Sequence, residues 1–93
     1  MKIANLINAN GNANANQFII KDDNGNTFFQ SYESIVCKID KENKVTLGED
    51  WNFSNTTSKH LYTFLKQNGH SEIADRKSIL KAIKNGVIKV VDL

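Results

Sequence analysis

The sequence predicts an α+β domain: a small antiparallel sheet of two hairpins plus a C-terminal strand, with two helices packed on one face. Three observations predict it. Residues 17–47 hold four short apolar runs, the last two with two-residue alternation, and the pairs within each hairpin are separated by Asn, Asp and Gly or Glu. Residues 55–86 switch to apolar spacings of three and four, punctuated by Gly69 and Gly86. Residues 87–91 then return to a β-branched run, Val-Ile-Lys-Val-Val.

Residues 2–7 read as a short first strand, with Ile3, Leu6 and Ile7 as its apolar content. The low-complexity stretch 8–16 alternates Asn with Ala and Gly. Asn tolerates left-handed backbone and bonds its own chain, so the stretch is predicted to be an Asn-rich loop. Gln17–Asp23 and Asn26–Tyr32 flank Asn24-Gly25, a pair suited to both positive-φ positions of a two-residue hairpin turn. That loop length sets Ile20 opposite Phe29 and Ile19 opposite Gln30. Apolar groups then fall on both sides of the hairpin, one side covered and the other meeting something partly apolar. Residues 34–39 alternate with Ile35, Cys37 and Ile39 inward and Val36 and Lys38 outward. The chain turns at 40–43 and returns through Val45 and Leu47 as a second hairpin.

Residues 51–58 bridge to a helix capped by Asn55 or Thr56, with Leu61, Phe64 and Leu65 as its apolar stripe and Gly69 at its end. A second helix starts after Ser71 or Asp75 and ends at Asn85. Its core stripe is Ile79, Leu80 and Ile83, and Lys77, Lys81 and Lys84 lie on the other side.

Ninety-three residues make one domain, 1–93. No apolar run approaches the length of about 20 residues that a membrane span needs, and the Asn- and Gly-broken N-terminus does not read as a signal peptide. The single cysteine excludes an internal disulfide, so a reducing, cytoplasmic setting is expected. The bias to 13 Asn and 11 Lys against one Arg, with no Pro, is what codon usage in an AT-rich genome produces. Residues 1–50 carry five lysines and seven acids, a net −2. Residues 51–93 carry seven Lys or Arg and three acids, a net +4. That asymmetry suits a partner of opposite charge at either end, or an ordinary solvated helix face.

Several motifs, in order and with kept spacing, resemble those of a family of small proteins found in bacteriophages, prophages and plasmids, mainly of low-GC bacteria. They are Leu6-Ile-Asn-Ala-Asn-Gly-Asn12, Asn16-Gln-Phe-Ile-Ile20, Phe29-Gln-Ser-Tyr-Glu-Ser-Ile35, Lys44-Val-Thr-Leu47, Trp51 with Phe53-Ser54, and Thr56-Thr-Ser-Lys59. The resemblance reaches about Leu65 and implies a mobile-element accessory protein. Small proteins of that kind are often non-enzymatic and bind host factors, and some inhibit CRISPR or other defence systems. No catalytic residue comes with the resemblance.

The chemistry-bearing residues point the same way. Cys37 falls on the inward side of an alternating strand, which predicts an inert thiol rather than a nucleophile beside His60. Cys37, His60 and His70 lack the close pair spacing of zinc sites. Asp22-Asp23-Asn24-Gly25-Asn26 lacks the terminal Glu of a calcium loop. The glycines at 11, 25, 48, 69 and 86 form no phosphate-binding signature. No cofactor is expected.

The expected function is therefore a non-enzymatic interaction module that binds and occludes a host or defence protein. The aromatic-polar segments nominate Gln30, Tyr32, Trp51 and Lys59 as its contacts. The acids Asp22 and Asp23, with Glu33, Glu49 and Asp50, are candidates to mimic phosphates. The competing assignment for Trp51, Phe53 and Tyr62 is to pin the first helix to the sheet. The alternative function is a small nucleic-acid-binding regulator. It would use the helix pair 56–85, with Arg76, Lys77, Lys81 and Lys84 on phosphates and bases, or a stacking platform of Phe28 and Tyr32 with Lys21. Open strand edges at 2–7 or 87–91 would also allow a homodimer.

Overall fold

The computed structural model describes residues 1–8 and 10–93. Six strands form one sheet in the order of the chain: β1 (Lys2–Ile7), β2 (Ala13–Lys21), β3 (Thr27–Ser31), β4 (Ser34–Ile39), β5 (Val45–Gly48) and β6 (Lys89–Val91). Between β5 and β6 come α1 (Asn55–Gln67), a single 3-10 turn (Ser71–Ile73) and α2 (Arg76–Lys84). The domain is α+β, and its sheet is mixed. β1 to β5 meander antiparallel, whereas β6 joins β5 in parallel. The helical segment between β5 and β6 supplies the long crossover that a parallel pair requires. No helix among the described residues is long and apolar enough to cross a membrane.

Three of the sheet's connections repeat one local device. In each, an Asx side chain accepts from the backbone N–H groups two and four residues on. Asn8 Oδ1 takes Asn10 and Asn12 at 2.9 and 3.0 Å. Asp22 Oδ1 takes Asn24 and Asn26, both at 2.9 Å, and Asp40 Oδ1 takes Glu42 and Lys44 at 2.9 and 3.0 Å. The residue before the closing position has positive φ: Gly11 at 81°, Gly25 at 86° and Asn43 at 68°. This is a three-residue loop ending in a left-handed residue, so only Gly25 of the Asn24-Gly25 pair needs positive φ. The longer loop corrects the predicted register by one residue. Ile19 pairs with Phe29 and Ile20 with Phe28. The same device shortens the predicted Asn-rich loop 8–16, because β2 already begins at Ala13; Ala9 lies outside the described residues.

A second correction concerns β4. Phe29 pairs with Cys37 but Gln30 pairs with Ile35, so β4 bulges at Val36. The extra residue lets Val36 and Cys37 both be fully buried, against the outward position predicted for Val36, while Ile35 is only half-buried. Gly48 of β5 passes over the bulge so closely that a Cβ there would sit 2.3 Å from the Ile35 carbonyl oxygen.

The core joins Leu6, Phe29, Val36, Cys37, Ile39, Val45 and Leu47 of the sheet to Trp51, to Leu61, Phe64 and Leu65 of α1, and to Ile79 and Ala82 of α2. Phe29 and Phe64 stack with ring centroids 5.6 Å apart. The cross-strand set of the other parity, Ile3, Ile20, Phe28 and Phe18, lies outside this cluster. Helix α1 is capped one residue earlier than predicted, by Ser54 accepting from Thr57 N–H. It ends, as expected, at Gly69, φ 81°. Asp75 caps α2. In α2 the buried stripe is Ile79 and Ala82, with Ile83 half-buried and Leu80 45% exposed. The nine-residue helix meets the core along a narrow line that Leu80 misses.

Candidate functional site

The β3–β4 connection is the tightest in the sheet. Ser31 pairs with Ser34, leaving Tyr32 and Glu33 to make the turn. Tyr32 sits at φ 55°, a costly conformation for a bulky residue. Both of its backbone polar groups are held: its N–H donates to Asn16 O at 2.7 Å, and its carbonyl accepts from Gln30 Nε2 at 2.6 Å. The strained backbone turns the phenol outward, 56% exposed. Gln30 thus supports Tyr32 from behind.

The turn is tied to α1 by hydroxyls. Ser31 Oγ lies 3.3 Å from Thr57 Oγ1, which also accepts from Ser54 Oγ at 3.2 Å. Immediately before the cap, Phe53 N–H donates to Asp50 O, and the Phe53 ring is 79% exposed. Ser34 Oγ donates to Asp50 Oδ2 at 3.0 Å, fixing that carboxylate beside the turn. Between these elements lies a cavity of about 150 Å³, lined by Tyr32, Phe53, Val36 and Asp50 with the hydroxyls of Ser31, Ser34 and Thr57. It adjoins, through Ser34 and Asp50, a cleft of about 260 Å³ lined by Glu33, Glu49, Asp50 and Asp92.

The nominated residues divide. Gln30 bonds the Tyr32 carbonyl, but of the two only Tyr32 lines the cavity. Trp51 does not join them as a contact: it is 5% exposed and belongs to the core, while its neighbour Phe53 takes the surface position. Lys59 is exposed on α1 and lines neither hollow. Asp22 and Asp23 stand at the opposite end of β3, whose five residues span about 17 Å. The five acids considered as one phosphate mimic are therefore two groups. Asp22 already serves its own turn, where hydrogen bonds from the Asn26 side chain and backbone hold its carboxyl below the usual range. Arg76, Lys77, Lys81 and Lys84 are all exposed on α2, which carries no acid. Of the platform residues, Phe28 is half-buried with Lys38 Nζ 6.0 Å from its ring centroid, and Tyr32 sits apart at the turn.

Ser34 and Val36 line the cavity from outside the aromatic-polar segments 30–32 and 51–59; Ser31, Phe53 and Thr57 lie within those segments but were not named as contacts. Phe53 had a signal: a large apolar residue directly before a cap either staples onto the helix or is left outside. A larger hollow of about 640 Å³ lies between β5 and the approach to β6, with Val45, Ile73, Val87 and Ile88 among its walls. Its buried His70 is engaged, with Nε2 3.0 Å from Asn43 Oδ1 and Nδ1 3.5 Å from the Glu72 carboxylate. These contacts tie the 3-10 turn to the β4–β5 loop. Cys37 is fully buried, and burial pushes its thiol up to about 12, leaving no thiolate at neutral pH. No group of three or more His, Cys, Asp or Glu among the described residues is placed to hold a metal ion.

Residues 1–82 match the family of unknown function DUF8033. No curated protein and no solved structure matches the chain.

Proposed function

We propose a function from the premise that this chain belongs to DUF8033, a family of unknown function: it is a non-enzymatic accessory protein of a phage or other mobile element that binds and occludes a host or defence protein in the host cytoplasm. The observation that carries the reading is the pair Tyr32 and Phe53, held 56% and 79% exposed around one cavity while the remaining chain buries Trp51, Phe29 and Phe64. Exposed aromatics on a rigid frame supply contact area at low entropic cost, the property of interface hot spots. In this reading both helices cover the Phe29 side of the sheet. The two sheet edges, β1 and β6, supply strands for a homodimer.

The test is capture of tagged protein from a lysate of a low-GC bacterial host, with and without nuclease. The expected result is one stoichiometric protein that survives nuclease and is lost with Phe53→Ala or Tyr32→Ala. Capture indifferent to both substitutions refutes the reading. The second reading, a nucleic-acid-binding regulator, is supported by the four exposed cations of α2. Capture lost on nuclease and on Lys81→Glu with Lys84→Glu would establish it in place of the first.

A further inference from the structure

We infer that the cavity between Tyr32 and Phe53 is a socket for one cationic side chain, arginine or lysine, on a basic segment of the partner protein. This rests on reading the Tyr32–Phe53 end as a protein-binding surface, and it specifies what that surface recognises.

Size limits the ligand. A cavity of about 150 Å³ holds a group of benzene's size, and it falls below the roughly 300 Å³ where small-molecule sites begin. One side chain fits it. The walls then select the kind of side chain. Phe53, 79% exposed, offers an apolar surface for an alkyl stem. Tyr32 and Phe53 are the exposed aromatics of the cavity, and aromatic faces attract ammonium and guanidinium groups.

Charge completes the selection. Asp50 lines the cavity, and Glu33, Glu49 and Asp92 line the cleft it shares. Among the described residues, no lysine or arginine lines either hollow. The chain as a whole is +2, so this end is a local reversal of the protein's charge. An anionic strand or an acidic peptide would be repelled here, and a purely apolar side chain would leave the carboxylates without a counter-charge. The frame is also preorganised. Asn16 and Gln30 fix the Tyr32 backbone, and Ser34 fixes the Asp50 carboxylate.

The full-length, isotopically labelled protein is titrated with acetyl-Gly-Arg-Gly-amide and with the same peptide carrying citrulline or norleucine in place of arginine, followed by amide NMR. The arginine peptide is expected to shift the Ser34, Asp50 and Phe53 amides saturably. The citrulline peptide, equal in shape but uncharged, should bind at least about fivefold more weakly. Asp50→Asn and Phe53→Ala alter exposed side chains, so melting temperature should hold while arginine-peptide affinity falls about two- to fivefold. Equal binding of arginine and citrulline, preference for norleucine, or no shift at these amides with any peptide overturns the socket. The wider reading fails separately. Partner capture that depends on Phe53 without arginine selectivity overturns only the socket. Arginine selectivity with capture indifferent to Phe53 and Tyr32 supports the socket and overturns the occluding role.

Discussion

Gly48→Ala sets two physical effects against each other, and the structure decides between them. Gly48 lies in a strand and is not among the positive-φ glycines, so its backbone suits alanine. On local grounds the change stabilises by about 0.4–1 kcal/mol, because alanine loses less chain entropy on folding. The bulge of β4 reverses the sign. The new methyl carbon would lie 2.3 Å from Ile35 O, 3.4 Å from Ile35 C and 3.5 Å from Val36 Cα. All three obstacles are backbone, so relief requires parting β4 and β5 where Val36 and Leu47 are fully buried. An approach this short to backbone atoms puts the cost in the upper part of the overpacking range, about 2–3 kcal/mol, leaving a net loss of about 1–2.6 kcal/mol. For a domain of this size that lowers Tm by about 4–20 °C. The single tryptophan, Trp51, is buried and reports the transition by fluorescence. A Gly48→Ala protein melting at or above the parent's temperature would refute the close approach of the bulge, and with it the β3–β4 register that places Val36 beside the cavity.

The carboxyls of Asp22, Asp40 and Asp75 are all held below their usual range by hydrogen bonds, from Asn26, Lys44 and Ser78 respectively. A depressed folded value stabilises above the unfolded value of about 3.9 and is lost as pH falls through the folded values. Asp22→Asn with Asp40→Asn, which copies the uncharged Asn8 turn, should therefore flatten the loss of stability below about pH 4 in urea titrations; an unchanged acid limb would contradict this. Gln17 is 1% exposed, and its Oε1 has no hydrogen-bond partner among the described residues, so Gln17→Met should stabilise by about 1–3 kcal/mol in denaturant melts. Trp51→Ala should cost about 3–5 kcal/mol, whereas Phe53→Ala should stay within about 0.5 kcal/mol, both read by thermal unfolding followed by circular dichroism.

Much of this protein was legible locally. The strands at 2–7, 34–39 and 45–48, the α1 stripe Leu61, Phe64, Leu65, and the chain reversals at 22–26 and 40–44 follow from side chains acting on residues within about four positions of themselves. The burial of Cys37 followed from the alternation of residues 34–39. Even the loop type was present in the sequence: Asp22 and Asp40, three residues ahead of Gly25 and Asn43, carry the signal that the Asn24-Gly25 pair obscured.

Tertiary structure decided what depends on partners distant in sequence. The β6 strand bears no mark of being parallel, because its orientation is set by how α1 and α2 return the chain to the edge of β5. Trp51 and Phe53 stand two positions apart with similar composition around them, yet one is in the core and the other in water. Both stand in the short connection between β5 and the α1 cap, where Trp51 N–H donates to Gly48 O and Phe53 N–H to Asp50 O. The site inherits this division. Gln30 and Tyr32 were readable as aromatic-polar neighbours, but Val36, Asp50, Phe53 and Thr57 meet Tyr32 only because a bulge, a tight turn and a helix start converge. Hydrogen bonds between near neighbours are written in adjacent residues; packing between distant ones is settled only when the whole chain competes for one core.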